Sequence, residues 1–468
     1  MLSNFDHNNN SIYAKKLLIN LFAICLVISC LIFFSWEASQ ITQPASILEQ
    51  EPIRLDLTSL CFYSTRTLFR MIIAIILSII FSIIYALVAS KSEKLEQTLI
   101  PILDILQSVP ILGYISFTVA GFVNLAPNSV LGFEMAAIFA IFTSQAWNIT
   151  FSTYQAFKNP PQELIEMANS YGFNSWRKFW SIELPYATPG IIWNSIISMS
   201  GGWFFVVAAE NIVYGSKQIQ LPGIGSYIAL ALQEQNMQAI ISAIIVMILI
   251  IILSNKIFFQ LLLDWSSKFR YELTSNNSST SSELSQYLYQ SIIIKALSSI
   301  LSVAYHKIIN FPFLKTARIK PFIFFSNQRL LKIVNIFWNL GLISLFCVVL
   351  KYLWCFFYDI TLQEVSYVFK LTCITFIRVV VLLALASLVL VPLGIYIGFK
   401  PSLTKRLQPI IQIMASFPSN LLFPLMVICI DKYQLNPNIW LSPLMVIAAQ
   451  WYILFNVIAG TSQISSEY

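Results

Sequence analysis

Glu166, Met167 and Ala168, followed by Gly172 and then by Ile182, Leu184 and Pro185, stand in the one polar, basic stretch of this 468-residue chain that looks built to touch a soluble partner. They lie within PPQELIEMANSYGFNSWRKFWSIELP, residues 160–185, between apolar runs each long enough to cross a bilayer. The chemistry open to them is docking, since no cluster of polar catalytic groups stands in or beside the apolar runs. Asn159 is placed to cap a helix opening on Pro160 and Pro161, where a missing N–H costs nothing, with Gln162 completing the cap. Leu164, Met167, Ala168 and Tyr171 fall on one face at helical spacing, with Glu163 and Glu166 beside them. Gly172 is placed to stop that helix in a left-handed turn. A second short helix is expected through Trp176, Phe179 and Trp180, ended by Pro185. The expectation is a compact helix–turn–helix knob.

The elements around the knob follow from composition. Apolar residues make up 57% of the chain and charged ones 10%, with mean hydropathy +0.74, against about 25% charge in a soluble domain. Ten stretches approach the length of a membrane span: 17–35, 68–90, 102–123, 130–156, 189–210, 239–263, 334–357, 370–398, 410–430 and 439–459. A backbone in lipid must satisfy its own hydrogen bonds, so these are read as helices and the fold as an all-α integral membrane protein. Lys15 and Lys16 precede the first stretch and no small-residue cleavage site follows Phe34, which favours a retained helix over a signal peptide. Lys91, Lys94, Lys158, Arg177, Lys178, Lys400, Lys405 and Arg406 fall in gaps on one side of the membrane. So does segment 264–333, with nine Lys/Arg against Asp264, Glu272 and Glu283. Glu37, Glu49, Glu51, Asp56, Asp359, Glu364 and Asp431 fall on the other. That asymmetry places the N-terminus and the knob in the cytoplasm. The net charge of +7 then needs no nucleic acid as partner. Seven scattered cysteines without a CxxC pair, and His7 and His306 without a visible partner, point to no metal site.

A shift of 308 residues brings the two halves into register without a gap: Thr67 meets Thr375, Arg70 meets Arg378, Pro101 meets Pro409, Ser108 meets Ser416, Pro110 meets Pro418, Asn148 meets Asn456. Both copies would have the same orientation, the parallel-repeat arrangement in which a pathway lies at the repeat interface. By the same offset Glu163 would correspond to position 471, beyond Tyr468, so the second half is expected to be cut off before its own knob. Ser/Asn-rich residues 273–285 read as a tether, and the remainder to about 333 as amphipathic helices on the inner leaflet. Arg70 and Arg378, at the outer starts of their spans, read as snorkelling anchors, with an anion-attracting role as alternative. Glu210 reads as an interfacial residue or a helix-cap partner.

The knob resembles the cytoplasmic loop of the inner-membrane permeases of binding-protein-dependent ABC importers. The signature of that loop is Glu-Ala-Ala, three residues, Gly, nine residues, Ile-x-Leu-Pro. Here it stands as Glu166-Met167-Ala168, Gly172 and Ile182-x-Leu184-Pro185, with Met167 replacing the first alanine. Gly201 to Phe205, Ala208-Ala209-Glu210, Leu221-Pro222-Gly223-Ile224-Gly225 and Gln450 to Asn456 resemble the nitrate, sulfonate and bicarbonate branch of that family. The resemblance covers about residues 60–270 and 365–468. It implies two tandem type I ABC importer permease repeats. The expected organisation is an N-terminal helix and outer loop (1–59), a first repeat (60–270) with coupling loop 160–185, a cytoplasmic linker (271–333) and a truncated second repeat (334–468). It also implies a transport subunit of the inner membrane with no catalysis of its own and no cofactor bound directly. No GxxxxGK[ST] loop occurs, so ATP would be used by separate ABC ATPase subunits. The further partners implied are an extracytoplasmic solute-binding protein and membrane lipid. Glu163, Leu164, Glu166, Met167, Ala168, Tyr171, Gly172, Ile182, Leu184 and Pro185 would carry the ATPase contact, with Met167, Tyr171 and Trp176 as apolar anchors. Pro110 and Pro418 could kink helices lining the pathway, while Ser198, Ser200, Gly201 and Gly202 would allow close packing. Two other classes fit less well: an ion-coupled secondary transporter, which tends to carry ionisable groups near the midplane, and a membrane docking protein.

Overall fold

A computed structural model describes residues 52–214, 217–269, 291–310 and 361–461, with shorter stretches inside 19–46 and 340–351. Lys15, Lys16, the tether 273–285, most of the expected span 334–357 and Gln463 lie outside the described residues.

Helix α1 (Leu57–Ser90) begins where the Asp56 carboxylate accepts the Ser59 N–H at 2.9 Å. Its long apolar surface is mostly exposed, as a lipid-facing helix requires. Helices α2 (Glu93–Ser108) and α3 (Ile111–Leu125) follow, then α4 (Val130–Lys158). Arg66 meets Glu134, Ser78 meets the Phe142 carbonyl and Ser82 meets the Ala146 carbonyl, so α1 and α4 run parallel. The intervening α2–α3 pair must therefore carry the chain back across the membrane. It does so as a broken span, bent by 103°. Val109 takes an extended conformation (φ −74°, ψ 126°) because the ring of Pro110 disfavours the helical one for its predecessor. The single span expected over 102–123, with a kink at Pro110, is thus two helices.

After the short α5 (Gln162–Ser170) comes α6 (Ser175–Lys178), which runs through a π turn at Phe179–Glu183 into α7 (Leu184–Ala209). A hairpin of β1 (Asn211–Tyr214) and β2 (Lys217–Gln220) pairs Asn211 with Gln220. Then come α8 (Ile224–Gln233), α9 (Met237–Ser254) and, beyond a second π turn, α10 (Gln260–Ser266). The core of this half is α1, α4 and α7, packed through Ala74, Ala86, Ala136, Ala137, Ala140 and Ala146. Such small residues let helix backbones approach without a hydrophobic drive, which lipid cannot supply. A Cβ on Gly202 would lie 2.5 Å from Gln145 Nε2 and 3.2 Å from Met71 Sδ, so that contact admits nothing larger.

Helix α11 (Ile292–Ile309) belongs to the stretch between the halves. The second half repeats the order of the first: α12 (Leu362–Gly398), a broken pair, then a helix. Its broken pair is α13 (Pro401–Ser416) and α14 (Phe423–Lys432), joined by a 3-10 turn and bent by 73°. Phe417, before Pro418, is extended just as Val109 is (φ −71°, ψ 123°). A short α15 (Pro437–Trp440) leads into α16 (Ser442–Thr461). Cβ atoms on Gly394 and Gly398 would touch Val457 at 2.7 Å and Thr461 at 2.6 Å, so α12 and α16 run parallel like α1 and α4. Among the described residues, six helices are long and apolar enough to span a membrane, or up to eight if each bent pair is one span.

Candidate functional site

The loop between α4 and α7 is built by local rules. Helix α5 starts at Gln162 with Pro161 as its cap residue and no side-chain cap. The cap expected from Asn159 is absent. Asn159 instead closes α4, donating its N–H to the Gln155 carbonyl at 3.1 Å. Two consecutive prolines without N–H groups leave few donors for a side chain to satisfy there. At the other end Gly172 has φ +64°. Its N–H reaches the Asn169 carbonyl at 3.0 Å, while the Phe173 N–H reaches the Ala168 carbonyl at 2.9 Å. Those two bonds form a Schellman closure around a left-handed glycine. Asn174 then caps α6 by accepting the Arg177 N–H at 2.9 Å.

Pro185 does not end a helix. Residues Ser175–Ala209 run as one 35-residue helix, in which the Leu184 N–H bonds back to the Phe179 carbonyl. That π turn restarts the hydrogen-bond ladder so that Pro185 falls in the first turn of α7, where no donor is needed. Glu183, 3% exposed, accepts Lys91 Nζ at 2.7 Å. The pair ties the end of α1 to the π turn, and Tyr85 OH donates to the Leu99 carbonyl at 2.6 Å, tying α1 to α2.

The predicted contact residues divide into two sets. Glu163, Glu166, Met167 and Tyr171 are exposed, Met167 at 41% and Tyr171 at 73%. Ala168 and Ile182 are buried, while Leu164, Leu184 and Pro185 are half-buried and fix the loop against the bundle. Trp176 is not the free anchor that its apolar character predicts. Its indole N–H donates to the Ile308 carbonyl of α11 at 2.9 Å, and its ring packs on Trp180 with centroids 5.6 Å apart. Tyr305 of α11 donates its hydroxyl to the Trp180 carbonyl. Burial there pushes the Tyr305 phenol above its usual range.

Where the halves touch, Ser200 Oγ lies 2.7 Å from Ser416 Oγ and the Asn420 amide donates to the Phe204 carbonyl at 3.0 Å. A Cβ on Gly201 would lie 3.3 Å from the Tyr452 hydroxyl, and Trp193 stacks on Phe455 at 5.8 Å. Ser200 and Gly201 therefore face the second half, whereas Gly202 packs inside the first. Ser198 is buried with an unpartnered hydroxyl. Pro418 is buried and Pro110 exposed, each at the break of its helix pair.

At the opposite end of α7 from the loop lies a feature that the sequence does not announce. Arg70, 1% exposed, donates Nε to Glu134 Oε2 at 2.6 Å, Nη2 to Glu134 Oε1 at 2.7 Å and Nη1 to Glu210 Oε1 at 2.8 Å. Arg66 donates Nη2 to Glu134 Oε1 at 2.7 Å and lies 3.4 Å from Glu37 Oε2. Glu210 also accepts the Thr67 hydroxyl at 2.6 Å and the Gly225 N–H at 2.6 Å. Arg70 is thus no snorkelling anchor, since its guanidinium is enclosed and paired. Glu210 does act as a cap partner, at the start of α8. Gly223 and Gly225 wrap this carboxylate so closely that a Cβ on Gly223 would meet Glu210 Cδ at 2.2 Å. The one available signal was spacing: Arg66 and Arg70 are one turn apart on α1, and Glu134 sits in the first turn and a half of α4. In the second half Arg378 is half-buried, Ile374 replaces Arg66 and Ser442 replaces Glu134; among the described residues Arg378 has no ion-pair partner.

Residues 78–268 match the family of binding-protein-dependent transport system inner membrane components. The nitrate import permease protein NrtB of Leptolyngbya laminosa is 30% identical over 159 residues, 34% of this chain and 52% of that protein. The bicarbonate transport system permease protein CmpB of Synechocystis sp. is 28% identical over 150 residues, 32% of this chain and 49% of that protein. A Synechocystis nitrate import permease protein NrtB is 25% identical over 244 residues, 50% of this chain and 84% of that protein. The chain spans about half the length of the first two of these relatives.

Proposed function

We infer, from the match of residues 78–268 to the family of binding-protein-dependent transport system inner membrane components, that this chain is a permease subunit of an ATP-driven importer of small anions. The relatives named for nitrate and for bicarbonate import support that substrate class. ATP is used by a separate ATPase subunit, and solute is delivered from outside by a capture protein. The N-terminus and the loop 160–185 face the cytoplasm, in keeping with the basic residues on that side. The chain is organised as two parallel repeats joined by a cytoplasmic linker. The pathway lies between them, near Ser200, Gly201, Ser416 and the breaks at Pro110 and Pro418.

One observation carries this reading: helix α5 is closed by its own backbone at Gly172 and leaves Glu163, Glu166, Met167 and Tyr171 exposed, without an ion-pair partner among the described residues. A short rigid helix with two carboxylates and two apolar side chains on show suits the cleft of a soluble motor. Met and aromatic side chains are favoured contact anchors in such clefts. Motion of the motor then moves α5, and with it the helix 175–209, as one body.

The test is co-purification of the chain with the ATPase subunit, using a variant lacking residues 160–185 and the milder pair Met167→Asp and Tyr171→Asp. Both variants should insert in the membrane and lose the ATPase. Recovery of the ATPase at undiminished yield with either variant overturns the reading. So does uptake that survives ATP depletion and collapses with the ion gradient.

A further inference from the structure

Helix α11 lies between the two halves in the chain, outside both sets of spans, and its two ends touch different parts of the molecule. At its start the Ile292 N–H donates to Asn20 Oδ1 at 2.9 Å. At its finish the Ile308 carbonyl accepts the Trp176 indole at 2.9 Å, the Tyr305 hydroxyl reaches the Trp180 carbonyl, and the Trp180 and Tyr305 rings meet edge-on at 6.0 Å. Trp176 and Trp180 stand at the loop end of the helix Ser175–Ala209. An 18-residue helix measures about 27 Å. With one end pinned to Asn20 and the other to the loop end of the helix Ser175–Ala209, the course open to it is along the loop-side membrane surface.

Its composition fits that course. Ile292, Ile300, Leu301, Val303 and Ile308 are 68%, 65%, 61%, 54% and 42% exposed. Ser298, Ser299, Ser302 and His306 are gathered on the other side of the helix, with Lys295 among them, while Lys307 stands between Ile300 and Val303 around the helix, on a stem long enough to carry its charge out to the headgroups. The chain holds no acidic residue between Glu283 and Asp359, while Lys295, Lys307, Lys315, Arg318, Lys320, Arg329, Lys332 and Lys351 fall in that interval. An apolar face with a basic polar face and no acid is the pattern of a helix lying in a negatively charged membrane surface. Charge complementarity selects the occupant of the exposed face.

We propose that α11 is a membrane-surface helix that binds anionic phospholipid on the loop side of the bilayer and, through Trp176 and Tyr305, holds the loop 160–185 to that surface. The proposal rests on the membrane-spanning fold and not on the importer reading. Lipid charge would then set how firmly the loop is held. Two lysines near a charged surface should favour the docked helix about thirtyfold over a neutral surface.

The full chain is reconstituted in nanodiscs of phosphatidylcholine alone or mixed with phosphatidylglycerol, and backbone hydrogen exchange is followed over residues 291–310 and 171–183. Anionic discs should slow exchange of both segments, by up to that factor for α11. The double variant Lys295→Glu with Lys307→Glu should exchange alike in both lipids. Tyr305→Phe should keep the lipid effect on α11 and lose it on 171–183. In parallel, Ile300→Cys bearing an environment-sensitive fluorophore, with the native cysteines replaced, should be quenched by headgroup-labelled lipid and shielded from an aqueous quencher. Equal exchange of the wild type in both lipids overturns the proposal. So does a fluorophore open to water until the soluble ATPase is added, which would mark the face as a protein contact.

Discussion

Replacing Glu134 by Gln tests whether the buried charge cluster braces the first half of the chain. The wild-type carboxylate receives three charge-assisted bonds of 2.6–2.7 Å from two guanidiniums, all three residues being at most 4% exposed. Each such bond contributes about 1.5–3 kcal/mol. Removing one partner of a buried pair costs about 3–5 kcal/mol, because the remaining charge stays desolvated. Arg70 keeps Glu210 at 2.8 Å and Arg66 keeps Glu37 at 3.4 Å, which places Glu134→Gln near the lower end, about 3 kcal/mol. Arg70→Gln should cost as much or more, since Glu134 then keeps only Arg66 as a cationic partner and Glu210 keeps only the neutral Thr67 hydroxyl and Gly225 N–H. The double variant should cost well below the sum, by about 2 kcal/mol or more, because the two introduced amides can share a neutral hydrogen bond. The assay is reversible unfolding in mixed micelles by SDS titration of wild type, both single variants and the double. A Glu134→Gln cost below about 1 kcal/mol, or strict additivity in the cycle, would refute the claim that these groups form one brace.

Gly172→Ala forces a side chain into the left-handed region at about 1–2 kcal/mol, yet nothing lies within 4 Å of the new Cβ, so the spans should keep their stability while ATPase co-purification falls. Circular dichroism melting alongside pull-down separates the two effects. Gly223→Ala drives a methyl into the Glu210 carboxylate and should destabilise the chain far more than Gly121→Ala, where no atom lies within 4 Å; thermal unfolding compares them. Asp56, which caps α1, is held at about 2 by the Thr58 hydroxyl and the Ser59 N–H, below its ordinary 3.8. A depressed carboxylate contributes stability that is complete above its unfolded value and fades as pH falls through the folded one. The difference between wild type and Asp56→Ala should therefore be flat from about pH 5 to 8 and vanish between about 3.8 and 2, read as unfolding against pH.

What could be read from the chain was whatever local rules control. Gly172 must close a helix, and Pro110 and Pro418 must disturb one, because φ > 0 and the residue before proline are properties of two or three neighbours. How far the latter disturbance goes was not legible: a kink and a 103° break start from the same dipeptide, and packing decides between them. Pro185 misled for the mirror reason. The π turn just before it absorbs it, and nothing in FWSIE marks that turn. The charge cluster was the largest omission. Arg70 and Glu210 are 140 residues apart, so their pairing is a fact of tertiary structure, and each taken alone looks like an interfacial charge. Trp176 likewise reads as an exposed anchor until α11, more than a hundred residues later, is laid against it.

On the importer reading, the helix Ser175–Ala209 would join these parts into one lever. Its 35 residues extend about 52 Å, long enough to cross the bilayer and protrude from it. One end carries the loop, where Glu183 is tied to Lys91. Beyond its middle it meets the other half at Ser200, Gly201 and Phe204. Its far end is Glu210, locked to Arg70, Thr67 and Gly225. A rod fixed firmly at one end and pushed at the other moves least near the brace and most near the push. At about 1.5 Å per residue, Ser200 stands about 38 Å from Ser175 and about 14 Å from Ala209, so the contact with the second half is close to the fixed end. On that reading a displacement of the loop would arrive at the contact with the second half reduced to about a quarter, with correspondingly greater force. The contact there mixes small and large residues: the Ser–Ser pair and a glycine against a tyrosine hydroxyl leave room to slide, while Trp193 stacked on Phe455, nearer the loop, interlocks the two halves. On the importer reading, the buried cluster and the contact with the second half would have complementary tasks, one holding its end of the helix still so that the other can move.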